Sequence, residues 1–120
     1  MVWNDLSTPE ELEQLILDSQ KNPQLIFKHS TRCSISNVAK SRIEKSQIPE
    51  GYTMHYLDLI RYRSLSNLIA EKFRITHESP QLLVIDKGLC VYHESHLAIS
   101  INDVLDALAF GSESVEKNIG

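Results

Sequence analysis

The sequence predicts an α/β fold: a four-stranded mixed sheet flanked by helices, with one extra helix at the N-terminus. Three observations carry that expectation. Apolar spacing switches between helical and strand-like periods in the order α, β-α-β, α, β-β-α. A cysteine, Cys33, falls where the first strand-like run gives way to a helical pattern. A Ser79-Pro80 pair stands immediately before the first strand of a hairpin.

The elements follow in order. Thr8 can cap a helix, Pro9 suits its first position, and Glu11 completes a T-x-x-E capping box; Leu12, Leu15 and Ile16 then share one face. Asn22-Pro23 breaks the pattern, and Leu25 to Phe27 is a short buried strand. From Cys33 onward Ile35, Val38, Ala39 and Ile43 form a helical stripe that ends before Pro49-Glu50-Gly51. Tyr52 to Leu59 is aromatic-rich and partly alternating, a strand. Leu65, Leu68, Ile69 and Phe73 return to helical spacing. Gln81 to Ile85, the turn Asp86-Lys87-Gly88 and Leu89 to His93 read as a hairpin. Ser100, with Asp103 three residues on, caps a last helix that turns Ile101, Val104, Leu105 and Leu108 inward.

A β-α-β unit requires two parallel strands with a right-handed crossover, and the hairpin adds two antiparallel ones. That order, with a cysteine at the first strand-to-helix junction, is the arrangement of a thioredoxin-like fold. One domain is expected over residues 1–110, with a polar, flexible tail over 111–120.

Composition removes several function classes. With 42% hydrophobic and 23% charged residues the chain has the make-up of an ordinary globular protein. Two cysteines exclude a disulfide-framework miniprotein. A net charge of −4 with scattered basic residues argues against a nucleic-acid surface. No signal-peptide pattern opens the chain and no apolar run is long enough for a membrane span, so the cytoplasm is the expected location. Thiols persist there, and disulfides are mostly transient and catalytic.

Cys33 is the candidate nucleophile. A helix N-terminus offers unpaired N–H groups and about half a positive charge, both of which stabilise a thiolate. At an ordinary value near 8.5 only roughly 3% of a thiol is ionised at neutral pH, so such stabilisation matters. A buried small hydrophobe is the common role of a free cysteine. Here, however, Arg32 and Ser34 flank the thiol and the apolar stripe starts only at Ile35. The motif Cys33-Ser34-Ile35-Ser36 is C-x-x-S. Ser36 can donate a hydrogen bond to the thiolate but cannot form a disulfide, so the chemistry is monothiol and an outside thiol must resolve the intermediate. Cys90 opens the return strand of the hairpin, well over 10 Å from Cys33 by a strand rise of about 3.3 Å per residue, too far for a bridge. Its expected role is structural.

In thioredoxin-like folds the residue at Pro80 is a cis-proline facing the active cysteine, which leaves the backbone of Ser79 to pair with an extended substrate. His29, His77, His93 and His96 map to the same end of the fold, as thiolate partners or proton donors. They also permit a Cys/His metal site, although no pair has tight ligand spacing, and no metal is assigned.

The stretches "FKHSTRCSIS", "HESPQLLVI" and "GLCVYHESHLAIS" resemble the monothiol bacilliredoxins, thioredoxin-like proteins of the bacillithiol system. The resemblance runs from the leading helix through "HESH". The family signature is Thr-Cys-Pro-Ile-Ser; here Arg32 and Ser34 replace the threonine and the proline, while Cys33, Ile35 and Ser36 match. The resemblance implies debacillithiolation: Cys33 attacks a protein–bacillithiol mixed disulfide and carries off the small thiol. Cys33 is then catalytic, with Arg32, Ser34, Ser36, Ser79, Pro80, His29, His93 and His96 around the substrate. Bacillithiol is implied as co-substrate with no tightly bound cofactor, S-thiolated proteins as partners, and a second small thiol or a disulfide reductase as the regenerating agent. Two other classes fit the same residues: a Cys/His metal or iron–sulfur carrier, and a redox sensor or interaction domain with weak catalysis.

Overall fold

The capping chemistry at Thr8 starts the first helix as its residue types dictate. In a computed structural model describing residues 1–109, the Thr8 hydroxyl accepts from the Glu11 N–H and the Glu11 carboxylate accepts from the Thr8 N–H. Helix α1 spans Pro9–Asp18 and buries Leu12 and Leu15. Strand β2 (Gln24–His29) is buried at every position. Helix α2 (Ser34–Lys45) follows it, then strand β3 (Thr53–Asp58) and helix α3 (Arg63–Phe73). Strands β4 (Gln81–Asp86) and β5 (Leu89–Ser95) form the hairpin. Lys87 and Gly88 both take positive φ in its two-residue turn. A single 3-10 turn, His96–Ala98, leads to helix α4 at 101–109, where the Asp103 N–H donates to Ser100 Oγ.

Among the described residues the sheet has five strands, one more than the sequence predicts. Residues Trp3–Asp5 form β1, and the order is β1-β3-β2-β4-β5. β1, β3 and β2 run parallel, while β4 lies antiparallel to β2 and β5 antiparallel to β4. Strand β1 has three residues and no alternation to betray it; what makes it a strand is pairing with β3 across the chain. Its Trp3 ring stacks on Phe27 with centroids 5.8 Å apart, and its indole N–H donates to Glu44 at 2.9 Å.

Helices cover both faces. Leu25, Phe27, Ala39, Ile43, Val84 and Val104 are among the core residues between the sheet and α2 and α4. Leu12, Leu15, Ile26, Leu57, Ile69 and Leu83 are among those packed toward α1 and α3. A sheet covered on both faces explains why β2 and β4 read as continuous apolar runs rather than alternating ones. The stripe expected on α2 is rotated. Ala39 and Ile43 are buried with Ser36, whereas Ile35 and Val38 are 41% and 45% exposed. Leu68 is likewise exposed on α3, where Ser66 is buried instead. The expected tail, 111–120, and residue 110 lie outside the described residues.

The parallel strands β2 and β3 end at one pole of the sheet, where α2 and α3 begin. β4 also starts there, since Lys28 pairs with Gln81, and β5 ends there, since Gln81 pairs with Ser95. The loops after β2, β3 and β5 and before β4 therefore lie at this pole, together with Cys33 at the start of α2.

Candidate active site

Cys33 is the N-cap of α2, with extended backbone dihedrals. The loop before it closes tightly: the Cys33 N–H donates to the Ser30 carbonyl at 3.1 Å, and the Cys33 carbonyl accepts from the Asn37 N–H at 3.2 Å. The sulfur makes no formal capping hydrogen bond to the helix. The groups around it still favour its anion. The Ser36 N–H is the largest influence holding the Cys33 pKa below the ordinary thiol value; the Ile35 N–H and the Ser36 hydroxyl act in the same direction, against a smaller opposing effect of burial. These donors are the second and third helical N–H groups, the ones an N-cap side chain normally satisfies.

Ser36 is fixed for this task. It is 0% exposed, and its Oγ accepts from the Ser30 N–H at 3.3 Å, leaving its own proton free for the sulfur. One hydroxyl thus ties the loop before the cysteine to the helix after it. A longer or apolar side chain would do neither.

Beneath the loop lies a second network. His29 ends β2 fully buried, with Nδ1 2.6 Å from the Tyr56 hydroxyl and Nε2 2.8 Å from Asn37 Oδ1. An amide oxygen can only accept, so Nε2 carries the proton and Nδ1 accepts from Tyr56. Burial is the main cause of the lowered His29 pKa, which keeps the ring neutral, and burial likewise raises Tyr56. The ring links β2, β3 and the second turn of α2. It is a strut under the site and not part of a surface rim.

On the far side of the thiol's pole, the Ser79–Pro80 bond is cis. The Pro80 carbonyl accepts from the His96 N–H at 2.9 Å, which brings the 3-10 turn alongside. Ser79 Oγ is buried without a protein partner among the described residues. With its hydroxyl buried, what Ser79 leaves for a substrate is its backbone, the part expected to pair with an extended chain.

Arg32 and Ser34 are exposed on either side of Cys33. His96 is exposed beside Pro80. His93 is exposed too, but it pairs with Leu83, two positions in from the end of β5 on the α1/α3 face. His77 lies on that face as well, with Nδ1 3.3 Å from Lys28 Nζ. The four histidines therefore do not form one rim. Among the described residues no group of three or more His, Cys, Asp or Glu is placed to hold a metal ion. Cys90 pairs with Ile85 beside the hairpin turn, about 13 Å along the strand from Gln81 at the usual rise. Burial raises its pKa, and its Sγ donates to the Tyr92 carbonyl.

Sequence reasoning missed Asn37, Tyr56 and Lys28. Asn37 and Tyr56 are polar residues on a helix and a strand whose link to His29 exists only once the elements pack. Lys28 follows the expected Leu25 to Phe27 strand with no local signal of burial, yet it is 0% exposed.

The family description "Monothiol bacilliredoxin BrxC" matches residues 4–104. Among solved structures, a thioredoxin-fold protein provisionally described as an oxidoreductase is 31% identical, with a TM-score of 0.78 over 88% of this chain and 93% of its own. The thioredoxin of Trypanosoma brucei brucei is 13% identical, with a TM-score of 0.70 over 93% of this chain and 92% of its own. That of Malassezia sympodialis is 12% identical, at 0.69 over 91% and 89%. At that identity the last two speak for the fold alone.

Proposed function

The chain belongs to the monothiol bacilliredoxin family, a thioredoxin-fold group of thiol oxidoreductase character, and on that premise we propose that it removes bacillithiol, or a similar small thiol, from protein mixed disulfides. The observation that carries the proposal is the single thiol at the N-cap of α2, favoured as thiolate by the N–H groups of Ser36 and Ile35 and by the Ser36 hydroxyl. Its only fellow cysteine is half-buried at the opposite pole.

The Cys33 thiolate attacks the bacillithiol sulfur of the mixed disulfide; a Cys33–bacillithiol disulfide forms, the S–S bond between bacillithiol and the target cysteine breaks, and the target cysteine leaves as a thiolate that takes a proton from water. A second small thiolate, or a disulfide reductase, then attacks the bacillithiol sulfur and releases Cys33 as thiolate. Donors fixed around the sulfur stabilise its charge at both ends of the cycle without reorganising. The backbone at Ser79 is suited to hold the extended target chain as an added strand.

Arg32 is exposed next to the nucleophile, and bacillithiol carries a malate group, so an Arg–carboxylate contact is the natural role for it. Arg32→Thr should slow reaction with bacillithiol disulfides more than with uncharged ones; an equal effect on both removes that role. The test of the whole proposal is intact mass. Reduced protein is incubated with the disulfides of bacillithiol, glutathione and coenzyme A, and the adducts are mapped and timed. A fast single adduct on Cys33, preferring bacillithiol and reversed by the free thiol, supports the proposal. Slow modification without preference, or labelling mainly at Cys90, defeats it.

A further inference from the structure

Lys28 is a buried lysine with no salt-bridge partner among the described residues. Its Nζ donates to the Ser66 carbonyl at 3.1 Å and lies 3.3 Å from His77 Nδ1, which also lies 3.3 Å from Ser66 Oγ. Burial lowers its pKa from 10.5 to about 8, so at neutral pH it is mostly an ammonium and can only donate. His77 Nδ1 must then accept, and the ring proton sits on Nε2.

Directly opposite Lys28 in the β2/β4 ladder is Gln81, buried on the same face. Its Nε2 donates to the Thr76 carbonyl at 3.0 Å. Among the described residues no backbone–backbone hydrogen bond reaches residues 76–79. The hydrogen bonds that tie them down come from three side chains below: Lys28, Ser66 and Gln81. That segment ends in Ser79-Pro80, beside the pole where Cys33 sits.

We propose that Lys28 is a positioning residue for the exchange reaction: with Gln81 it anchors the Thr76–Ser79 segment from inside the sheet and holds His77 as the neutral Nε2–H tautomer, so that the Ser79 backbone is fixed for an incoming target chain. The proposal rests on the thiol-exchange function given above. It also carries a pH limit. Burial is the main influence holding the His77 pKa below the ordinary value; of the charged groups around it, Lys28 and Arg63 also oppose its protonation and Glu78 favours it. Protonating His77 replaces an acceptor by a second cation facing Lys28, and the anchor opens.

The test uses Lys28→Met and, because a buried change risks misfolding, His77→Gln as a second variant at a half-buried loop position. With a protein mixed disulfide as substrate, both should raise KM about tenfold, the worth of one hydrogen bond to a charged group, with kcat within about twofold. Alkylation of Cys33 by iodoacetamide should be unchanged in both, separating the anchor from the nucleophile. Wild-type KM should climb as the pH falls below the ordinary histidine range, and this climb should vanish in His77→Gln. Nitrogen NMR of the histidine rings should show an unprotonated Nδ1 at His77 in the wild type and a mixture of tautomers in Lys28→Met. Unchanged KM in either folded variant, or a wild-type His77 protonated at Nδ1, overturns the proposal. A wild type that exchanges with no mixed disulfide defeats the proposed function instead, while the NMR measurement still decides whether the anchor exists.

Discussion

Replacing Lys28 by methionine should make the protein more stable at neutral pH and less stable at high pH. The ordinary lysine value is 10.5, and burial brings Lys28 to about 8. At about 1.4 kcal/mol per pH unit, the buried ammonium costs the folded state about 3 kcal/mol. Because the folded value is depressed, the stability associated with the neutral amine is complete above 10.5 and is lost as the pH falls through 8. Methionine fills a similar volume and removes that cost. It also removes the bonds to Ser66 and His77, at roughly 1 kcal/mol each. The net expectation is a gain of about 1 kcal/mol near pH 7 and a loss of about 2 kcal/mol above pH 10. Urea unfolding of both proteins between those limits reads the difference directly, and other titrating groups cancel in the comparison. A difference that stays constant with pH would refute the reasoning, because it would mean that the amine titrates alike in folded and unfolded chains. A variant more stable at neutral pH yet poorer in KM would show that the lysine is kept at the expense of stability.

Further expectations are more local. Ser36→Ala removes the hydroxyl that faces the sulfur and the acceptor for the Ser30 N–H, so alkylation of Cys33 at neutral pH should slow by roughly threefold to tenfold; an unchanged rate would leave the backbone donors as sufficient. Tyr56→Phe takes the donor away from His29 Nδ1 and should cost about 1 kcal/mol in chemical denaturation. The folded His29 value is lowered by burial, so the stability it contributes is present above the ordinary histidine value and is lost as the pH falls below it. Mutating Thr8 to Ala dismantles the capping box and should lower stability by about 1 kcal/mol. Phe27→Ala opens a cavity at a fully buried site against Trp3 and should cost about 3–5 kcal/mol.

The parts legible in the sequence are those written locally. The Thr8–Glu11 box, the hairpin turn at Lys87-Gly88 and the cysteine at a strand-to-helix junction each depend on residues within a few positions of one another. What stayed hidden depends on pairing across the chain. β1 exists because Trp3 finds Phe27 and Tyr56, more than twenty residues away. The apolar stripe on α2 misleads because the tightest demand on that helix is polar: Ser36 has to face inward to meet the Ser30 N–H. That rotation leaves Ile35 and Val38 outside. Lys28 and Gln81 are hidden for the same reason, since polar residues in a buried ladder look like strand ends until the partners that satisfy them are in place.

The two thiols of the molecule are shifted in opposite directions, Cys33 lowered by its donors and Cys90 raised by burial. For the experimenter this amounts to a built-in reference. At mild pH a limiting amount of electrophile should mark the first cysteine and spare the second, so a fluorophore or spin label can be placed at the working end without changing a residue. Denaturant then exposes the second thiol to the same reagent. The ratio of the two labels reports, in one mass spectrum, both how much of a sample is reduced and how much of it is folded.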